Sequence, residues 1–247
     1  MFDGNQNLLK MKKGKLIVID GADGSGKATQ TSLLVEKLRN LGHQVETIDF
    51  PRREAFFGGF IYRCLEDGEC GDFKSLDPKI ASVLYAADRF VASKKISEWL
   101  NSGITVVADR YVSANQIHQG GKIQDETGRK NFLTWLDEME HVEFGIPRPD
   151  LVCLLDVPYS VSLKLINERN EKEASSPKRR STDQHEMDPE HQIHARESAI
   201  KMLIDDNWVR IGCSDDGENI LPRDVIHEKV LKPCLALLGA VEEPVKN

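Results

Sequence analysis

The residues whose types and spacing best suit chemistry lie near the start of the chain, in the run Gly21-Ala22-Asp23-Gly24-Ser25-Gly26-Lys27-Ala28-Thr29. The run fits the pattern GxxxxGK between a predicted strand and a predicted helix. Glycines let successive backbone N–H groups turn towards an anion, and the following helix directs its positive end to the same point. Lys27 adds a full cation. The run therefore predicts a loop that binds phosphate groups.

One position of this loop departs from the usual pattern. The residue after the lysine is Ala28, where a serine or threonine hydroxyl normally binds Mg²⁺. Thr29 follows one residue later and points roughly 100° away around the helix. Two ways of holding a metal stay open: a water in place of the missing hydroxyl, or a carboxylate from elsewhere in the chain.

Three further clusters of polar and aromatic residues follow predicted strands or lie on a predicted helix. Ligands of open parallel sheets bind at the carboxyl ends of the strands, so we expect Asp23, Arg53 and Asp109 to meet there. Tyr85 and Arg89 are four residues apart and share one helix face. A buried arginine at that position needs an anionic or polar partner. The clusters are Phe50-Pro51-Arg52-Arg53, Leu84-Tyr85-Ala86-Ala87-Asp88-Arg89-Phe90 and Asp109-Arg110-Tyr111-Val112-Ser113-Ala114-Asn115-Gln116-Ile117-His118-Gln119-Gly120.

Strands and helices that alternate along the chain must position these clusters. Short apolar runs predict strands at residues 15–20, 44–51, 104–110 and 149–157, with a weaker fifth at 208–211. Apolar residues at helical spacing predict helices at 28–42, from 77 to about 101, and from 222 to about 239. The alternation predicts an α/β fold with a parallel, doubly wound sheet flanked by helices.

A polar segment, residues 168–190, interrupts this pattern between two helical segments. Two interpretations stay open for it. It is either a solvated surface loop or a mobile lid whose cations close over phosphates. Its cations are Arg169, Lys172, Lys178, Arg179 and Arg180.

Composition limits the functions that we expect. The chain has 247 residues, with 33 lysines and arginines against 40 acidic residues, and a formal charge of −7. An acidic balance argues against sequence-independent binding to nucleic acid, and no apolar run reaches the ~20 residues of a membrane span. We expect residues 1–14 to be a loose leader without a signal peptide, residues 15–240 to be a single domain, and residues 241–247 to be a tail.

The cysteines indicate the compartment. They stand at positions 64, 70, 153, 213 and 234 and form no CxxC pair. This spacing predicts neither a metal site nor a disulfide framework, so we expect small core or surface residues in a reducing cytoplasm.

In this order and spacing the motifs resemble those of one family. From about Lys15 to Leu238 the chain is similar to the thymidylate kinases, of the P-loop nucleoside monophosphate kinase group. The similarity lies in a P-loop with an acidic third residue, an FP-x-R segment, an aromatic-x-x-x-Arg helix and an Asp-Arg-Tyr segment. It implies a P-loop NTPase-type sheet of five parallel strands with a mobile lid. It also implies phosphoryl transfer from ATP, with Mg²⁺, to dTMP in deoxynucleotide synthesis, by a homodimer whose partners are small nucleotides.

The resemblance assigns roles to the phosphate-binding residues. Lys27 matches the lysine on the ATP phosphates, within the loop Gly21 to Thr29. Asp23 matches the carboxylate that contacts the sugar 3′-hydroxyl, and Arg53 matches the arginine on the acceptor phosphate. Asp109 and Arg110 match the pair near Mg²⁺ and the acceptor phosphate, with Asp109 as the metal ligand.

The resemblance also assigns residues to the acceptor nucleotide. Phe50 belongs to the FP-x-R segment of that site. Tyr85 matches an aromatic residue stacked on thymine, and Arg89 matches the arginine that donates to the base carbonyl. Asn115 matches a polar residue that reaches the base edge in part of the family. His118 stands where many members carry a tyrosine that crowds the sugar 2′ position.

The cation for the transferring phosphoryl group is implied to come from the lid. Some family members carry an arginine in the P-loop, but that place is Gly24 here. Phosphoryl transfer needs positive charge around the moving group. The resemblance therefore implies Arg169, Arg179 and Arg180 as catalytic candidates, with Arg169 first.

Two alternatives to a dTMP kinase stay open. Another kinase of the group, such as a deoxynucleoside kinase, would need a carboxylate base after the second strand, and Glu54 is the candidate. Arginine there instead suits an acceptor that already carries a phosphate. The second alternative is a nucleotide-binding regulator that has lost catalysis, for which Ala28 is the support.

Overall fold

A parallel sheet of five strands forms the centre of the molecule. The computed structural model describes residues 13–174 and 188–239. The strands are β1 Leu16–Asp20, β2 Val45–Asp49, β3 Thr105–Asp109, β4 Leu151–Asp156 and β5 Trp208–Gly212. Their order is β2-β3-β1-β4-β5, and every pairing is parallel. The predicted α/β sheet is confirmed, including its weak fifth strand.

Helices flank the sheet, and turns of π-helix extend three of them at Arg63–Asp67, Asn115–Gln119 and Glu138–Glu143. In the described ranges the α-helices are α1 Lys27–Asn40, α2 Phe56–Tyr62, α3 Pro78–Asn101, α4 Val112–Ala114, α5 Glu126–Asp137, α6 Tyr159–Ala174, α7 Pro189–Lys201 and α8 Arg223–Leu238. The three predicted helices correspond to α1, α3 and α8. None of the helices in these ranges has the length and apolar character needed to cross a membrane.

Alternate residues of the central strand pack against opposite layers of helices. Ile19 lies in one core with Leu38 of α1 and Val230 of α8. Val18 lies in a second core with Ile96 of α3. Because both faces of the sheet are covered, its central strands are almost wholly apolar.

The carboxyl edge of the sheet brings the predicted clusters together. The backbone N–H of Phe50 donates to the carbonyl of Asp109 at 3.0 Å, and the N–H of Arg110 donates to the carbonyl of Ile19 at 3.0 Å. The segments that leave β2 and β3 are therefore attached beside the end of β1, where the glycine-rich loop begins. Four strands end in aspartate at this edge: Asp20, Asp49, Asp109 and Asp156.

The predicted lid, residues 168–190, is helical at both ends. α6 continues to Ala174, and α7 begins after Asp188, whose carboxylate accepts the N–H of His191 at 3.1 Å. Residues 175–187 lie outside the described residues, as do residues 1–12 of the predicted leader and the predicted tail. The described end of the leader is attached, because the N–H of Gly14 donates to the carbonyl of Leu100 at 2.8 Å.

The prediction of no disulfide is wrong for one pair of cysteines. Cys64 and Cys70 are bonded, with their Cα atoms 4.8 Å apart. The π-helical turn Arg63–Asp67 ends at Gly68, whose φ of 69° suits glycine and returns the chain towards Cys64. The other three cysteines are buried free thiols, as predicted: Cys153, Cys213 and Cys234.

Candidate active site

The glycine-rich loop joins the end of β1 to the start of α1. Gly21 and Gly24 have φ values of 148° and 73°. A Cβ would lie 2.6 Å from the carbonyl oxygen of Leu155 at Gly21, and 2.7 Å from that of Ser162 at Gly24. These positions therefore require glycine. The hydroxyl of Ser25 is buried and has no hydrogen-bond partner among the described residues, so the loop contains an unsatisfied polar group.

Lys27 lies inside this loop. Its Nζ donates to the carbonyl oxygens of Gly21 at 3.0 Å and Ala22 at 2.9 Å, and lies 3.9 Å from Asp23 Oδ1. The side chain is only 7% exposed. Burial, together with the charge of Arg110, lowers the pKa of Lys27 below its ordinary value. The lysine is thus positioned by the same backbone that would surround a phosphate.

Asp23 is the centre of a buried polar network. Arg110 Nη2 donates to its Oδ1, and Gln192 Nε2 donates to its Oδ2 at 2.9 Å. The N–H of Asp23 in turn donates to Gln192 Oε1 at 3.2 Å. Burial opposes ionisation, but Arg110, His118 and Lys27 hold the pKa of Asp23 well below its ordinary value. Gln192 of α7 was missed by sequence reasoning, since no motif marks a single glutamine on a helix.

The segment after β3 turns sharply at Arg110. Its φ of 62° lies in the left-handed region, which a residue with a side chain rarely adopts. The Ser113 hydroxyl donates to Asp20 Oδ2, which anchors the following turn to β1. The strained backbone therefore directs the Arg110 side chain to Asp23, and such strain is concentrated at functional sites.

Asp109 fits the carboxylate of a Mg²⁺–nucleotide site. It is half-buried at the end of β3, and burial raises the pKa of its carboxyl above the ordinary value, while Arg110 and Lys27 oppose that change. Among the described residues, no three His, Cys, Asp or Glu side chains form a metal cluster. Mg²⁺ binds through one or two carboxylates, phosphates and water, and Asp109 offers one such carboxylate. Ala28 is exposed and offers no ligand.

A cavity beside this network brings together seven of the eight residues predicted for the acceptor. Gln119 also lines it, and its Oε1 is buried with no hydrogen-bond partner among the described residues. Tyr62 and Leu65 add apolar walls. A buried, unsatisfied acceptor at an apolar cavity indicates a site for a polar ligand. The seven residues are Asp23, Phe50, Tyr85, Arg89, Arg110, Asn115 and His118.

Arg89 enters the cavity from α3 and meets an anionic partner. It is 1% exposed, and its Nε and Nη2 each donate to a carboxylate oxygen of Glu140 at 2.6 Å. Asn115 Nδ2 donates to the same carboxylate at 2.8 Å. The buried arginine thus has the anionic partner that its burial requires. Sequence reasoning did not find Glu140, because that residue belongs to no motif.

Arg53 is the predicted acceptor residue that does not line the cavity. Its guanidinium donates to Glu66 at 2.6 and 3.1 Å and lies 3.6 Å from the ring centroid of Tyr62, which does line it. Its neighbour Arg52 instead pairs with Asp88 of α3. Glu54, the candidate base of a deoxynucleoside kinase, is exposed and outside the cavity.

His118 connects the cavity to α7. Its Nδ1 lies 3.3 Å from His191 Nε2, and the two rings are stacked with centroids 5.4 Å apart. Burial lowers the pKa of His118 well below its ordinary value, although the charge of Asp23 opposes the change. The side chain is therefore a neutral imidazole at neutral pH.

The three lid candidates are only partly described. Arg169 is half-buried on α6, where its Nη2 donates to Asn170 Oδ1 at 3.3 Å. Arg179 and Arg180 lie outside the described residues. Arg169 alone can therefore be placed, in the second half of α6, the helix that follows β4.

The sheet order and the glycine-rich loop at the end of its central strand define a class: parallel α/β proteins whose ligand site lies at the carboxyl edge of the sheet. Within that class, the chain belongs to the thymidylate kinase family. The family model for thymidylate kinase matches residues 19–216.

Individual relatives agree with this assignment. Human thymidylate kinase is 34% identical over 155 residues, which cover 62% of this chain and 66% of that protein, just under two thirds of its length. Thymidylate kinase of Mycobacterium tuberculosis H37Rv is 32% identical over 177 residues, which cover 72% of this chain and 80% of that protein. The structure of thymidylate kinase from Candida albicans superposes on this one with a TM-score of 0.64 and 23% sequence identity. The superposition covers 91% of this chain and 92% of that chain, and it supports the fold.

Proposed function

We propose that this protein transfers the γ-phosphoryl group of ATP to dTMP, giving ADP and dTDP, in the supply of deoxynucleotides. An oxygen of the dTMP phosphate forms a bond to the γ-phosphorus, and the bond from that phosphorus to the β,γ-bridging oxygen breaks. The observation that carries the proposal is the cavity in which seven of the eight predicted acceptor residues converge, one of them Asp23 beside Lys27. Family membership supports the same reaction.

The glycine-rich loop is the proposed site of the ATP phosphates. Successive N–H groups at residues 21–29 and the start of α1 favour negative charge there. Lys27 would exchange its two carbonyl acceptors for phosphate oxygens. When bound with ATP, Mg²⁺ neutralises phosphate charge, and Asp109 is the side chain that would hold it directly or through water.

The neighbouring network is the proposed site of the acceptor phosphate and sugar. Arg110 is held beside Asp23 and Asp109, where its cation can orient the acceptor phosphate next to Lys27. Asp23 and Gln192 provide a fixed acceptor and donor for a sugar hydroxyl. Arg53 would leave Glu66 and bind the acceptor phosphate in its place. The stacking of the Arg53 guanidinium on Tyr62 keeps this side chain near the cavity.

Residues 15–240 are proposed as one kinase domain in which residues 168–190 form the lid. Positive charge on the moving phosphoryl group must then come from the lid, because Gly24 provides none. Arg169, Arg179 and Arg180 are the proposed sources. The helix that begins at the end of the segment, α7, contacts Asp23 through Gln192.

The test of the reaction is ADP release measured with a panel of acceptors. We expect dTMP to give the highest kcat/KM, dUMP to be accepted more weakly, and thymidine to give no turnover, because an acceptor phosphate is needed. Turnover of thymidine instead of dTMP would favour the deoxynucleoside kinase. ATP binding without turnover of any acceptor would favour the regulator.

We also propose a homodimer that forms through α3. Its exposed apolar residues Ile80, Val83, Phe90 and Val91 are 56%, 40%, 52% and 54% exposed. They form a seam along one side of the helix, and buried Ser82 and Arg89 lie on the opposite side. A seam on one helix can pack on the same seam of a second copy about a two-fold axis.

The proposed location is the cytoplasm, and the proposed partners are ATP and dTMP without nucleic acid. Three of the five cysteines, Cys153, Cys213 and Cys234, are free thiols, which supports a reducing compartment, whereas the Cys64–Cys70 bond counts against one. The net charge of −7 supports the absence of nucleic acid. Fractionation of the host cell with an antibody to the protein tests the location.

A further inference from the structure

The carboxylate of Glu140 joins two residues of the proposed base site. It is 0% exposed and lies in the π-helical turn that follows α5. Its Oε2 accepts from Arg89 Nε at 2.6 Å, and its Oε1 accepts from Arg89 Nη2 at 2.6 Å and from Asn115 Nδ2 at 2.8 Å. One buried group therefore sets the position of both side chains.

The ion pair with Glu140 leaves some N–H groups of the Arg89 guanidinium for a ligand. A guanidinium has five N–H donors, and the pair with Glu140 uses the Nε and Nη2 edge. Nη1 is not part of that pair, and Arg89 lines the cavity. Arg89 can offer the cavity donors only, because it has no acceptor atom.

The same contact fixes the orientation of the Asn115 amide. Its Nδ2 donates to Glu140 and to the carbonyl oxygen of Ser82 at 3.2 Å. Carboxylate and carbonyl oxygens accept only, so the amide nitrogen must lie on this side. Asn115 also lines the cavity, and the atom left to face a ligand is its Oδ1, an acceptor.

We propose that Glu140 determines base specificity by holding a donor from Arg89 and an acceptor from Asn115 towards the base. A pyrimidine with a 4-keto group has a carbonyl beside an N3–H, which complements this pair. Cytosine has an amino group beside an unprotonated N3, which opposes it at both positions. The inference rests on the proposed function and adds Glu140 as a positioning residue for the 4-keto pyrimidine.

Glu140→Gln is the variant that tests the inference. A glutamine has one acceptor oxygen and one NH₂, so it places a donor against Arg89 or Asn115. Two donors that face each other repel, so Arg89 or Asn115 must move away from the position in which it meets the base. We expect the ratio of kcat/KM for dTMP to that for dCMP to fall by at least about ten-fold, with the KM for ATP unchanged.

Two further variants separate specificity from stability. Glu140→Asp keeps the charge but shortens the side chain, and we expect a smaller fall in the same ratio. Asp88→Asn is the matched control. Like Glu140, Asp88 is buried and paired with an arginine, in this case Arg52. Asp88 lies on the same helix as Arg89, but it makes no hydrogen bond to the side chain of Arg89 or Asn115. We expect Asp88→Asn to affect dTMP and dCMP alike.

Binding and turnover together distinguish failure of this inference from failure of the proposed function. Dissociation constants for dTMP and dCMP are measured by calorimetry on each variant, alongside near-ultraviolet circular dichroism for the fold. A wild-type protein that neither binds nor phosphorylates dTMP would overturn the proposed function. A dTMP-selective wild type whose folded Glu140→Gln or Glu140→Asp variant keeps the full ratio would overturn the role of Glu140 alone.

Discussion

Lys27 is held by the loop in which it is proposed to act, through two backbone carbonyls that belong to that loop. We expect Lys27→Ala to lower kcat by roughly 10²–10³-fold, the usual effect of removing one group that stabilises a developing charge. The fold should persist, because both hydrogen bonds of the lysine are made to carbonyls of the loop itself. ADP release and circular dichroism check the two parts. A folded variant with more than a tenth of the wild-type kcat would contradict the role of Lys27.

His118 predicts a pH dependence of stability. Burial lowers its pKa in the folded protein well below 6.5, while Arg110, Lys27 and His191 act in the same direction and Asp23 opposes them. Below pH 6.5 the unfolded chain gains a proton that the folded protein does not, so this residue lowers stability as pH falls. The wild-type free energy of unfolding should therefore fall between pH 7 and pH 5.5 by about 1 kcal/mol more than that of His118→Gln.

The measurement for His118 is urea unfolding of both proteins at several pH values. The difference between them isolates this residue from other histidines, such as His141 and His227, whose pKa values are also lowered by burial. Parallel stability curves for the wild type and His118→Gln between pH 7 and 5.5 would contradict the expectation.

Single residues could be predicted from sequence only where a motif contains them. Lys27, Asp23 and Arg110 follow β1 and β3 directly, so their position follows from the sheet. Gln192 and Glu140 reach the same site from α7 and from the turn after α5, which are distant in sequence. Only the tertiary packing of those elements shows that they meet.

At the scale of elements, apolar runs and the periodicity of apolar residues predicted the five strands and the helices α1, α3 and α8. α3 begins after Asp77, as the Asp-Pro pair predicts, because that carboxylate accepts the N–H of Lys79 at 2.8 Å and of Ile80 at 3.3 Å. The π-helical turns could not be predicted, since they depend on how each helix ends against its neighbours. The Cys64–Cys70 bond follows from one of these turns.

The three arginines of the predicted lid, residues 168–190, are predicted to contribute to catalysis. Replacing Arg169, Arg179 and Arg180 together by Ala should lower kcat far more than it raises the KM for dTMP. The reason is that a cation on the moving phosphoryl group acts mainly in the transition state. Steady-state kinetics with both substrates varied provide the measurement, and Lys164→Ala, an exposed cation of α6, is the matched control.

Limited proteolysis gives an independent check on the same element. Cleavage within residues 170–185 should slow when ATP and dTMP are present together, because a lid that closes over both nucleotides shields its own backbone. Unchanged cleavage together with a near-normal kcat in the triple variant would indicate a solvated surface loop. The charge would then have to come from another residue.

At the scale of the whole molecule, one sheet edge collects residues from elements that are distant in sequence. The glycine-rich loop follows the central strand β1, and the flanking strands β3 and β4 are its direct partners, so the segments leaving them surround the loop. α3 and α7 then cover the cavity from one face of the sheet. This arrangement separates the proposed ATP phosphates from the proposed base site while keeping Asp23 and Arg110 between them.

The outer side of α3 leads to the prediction on assembly. If Ile80, Val83, Phe90 and Val91 form a seam between two copies, Phe90→Asp places a charge in an apolar contact. A central interface residue of this kind is worth about 2 kcal/mol or more, so the dissociation constant of the dimer should rise at least about thirty-fold. Sedimentation velocity over a range of protein concentrations measures it. Ile204→Asp is the matched control, because Ile204 is 87% exposed and lies outside the seam. A wild-type protein that stays monomeric at tens of micromolar, or a Phe90→Asp variant that dimerises like the wild type, would contradict the proposed seam.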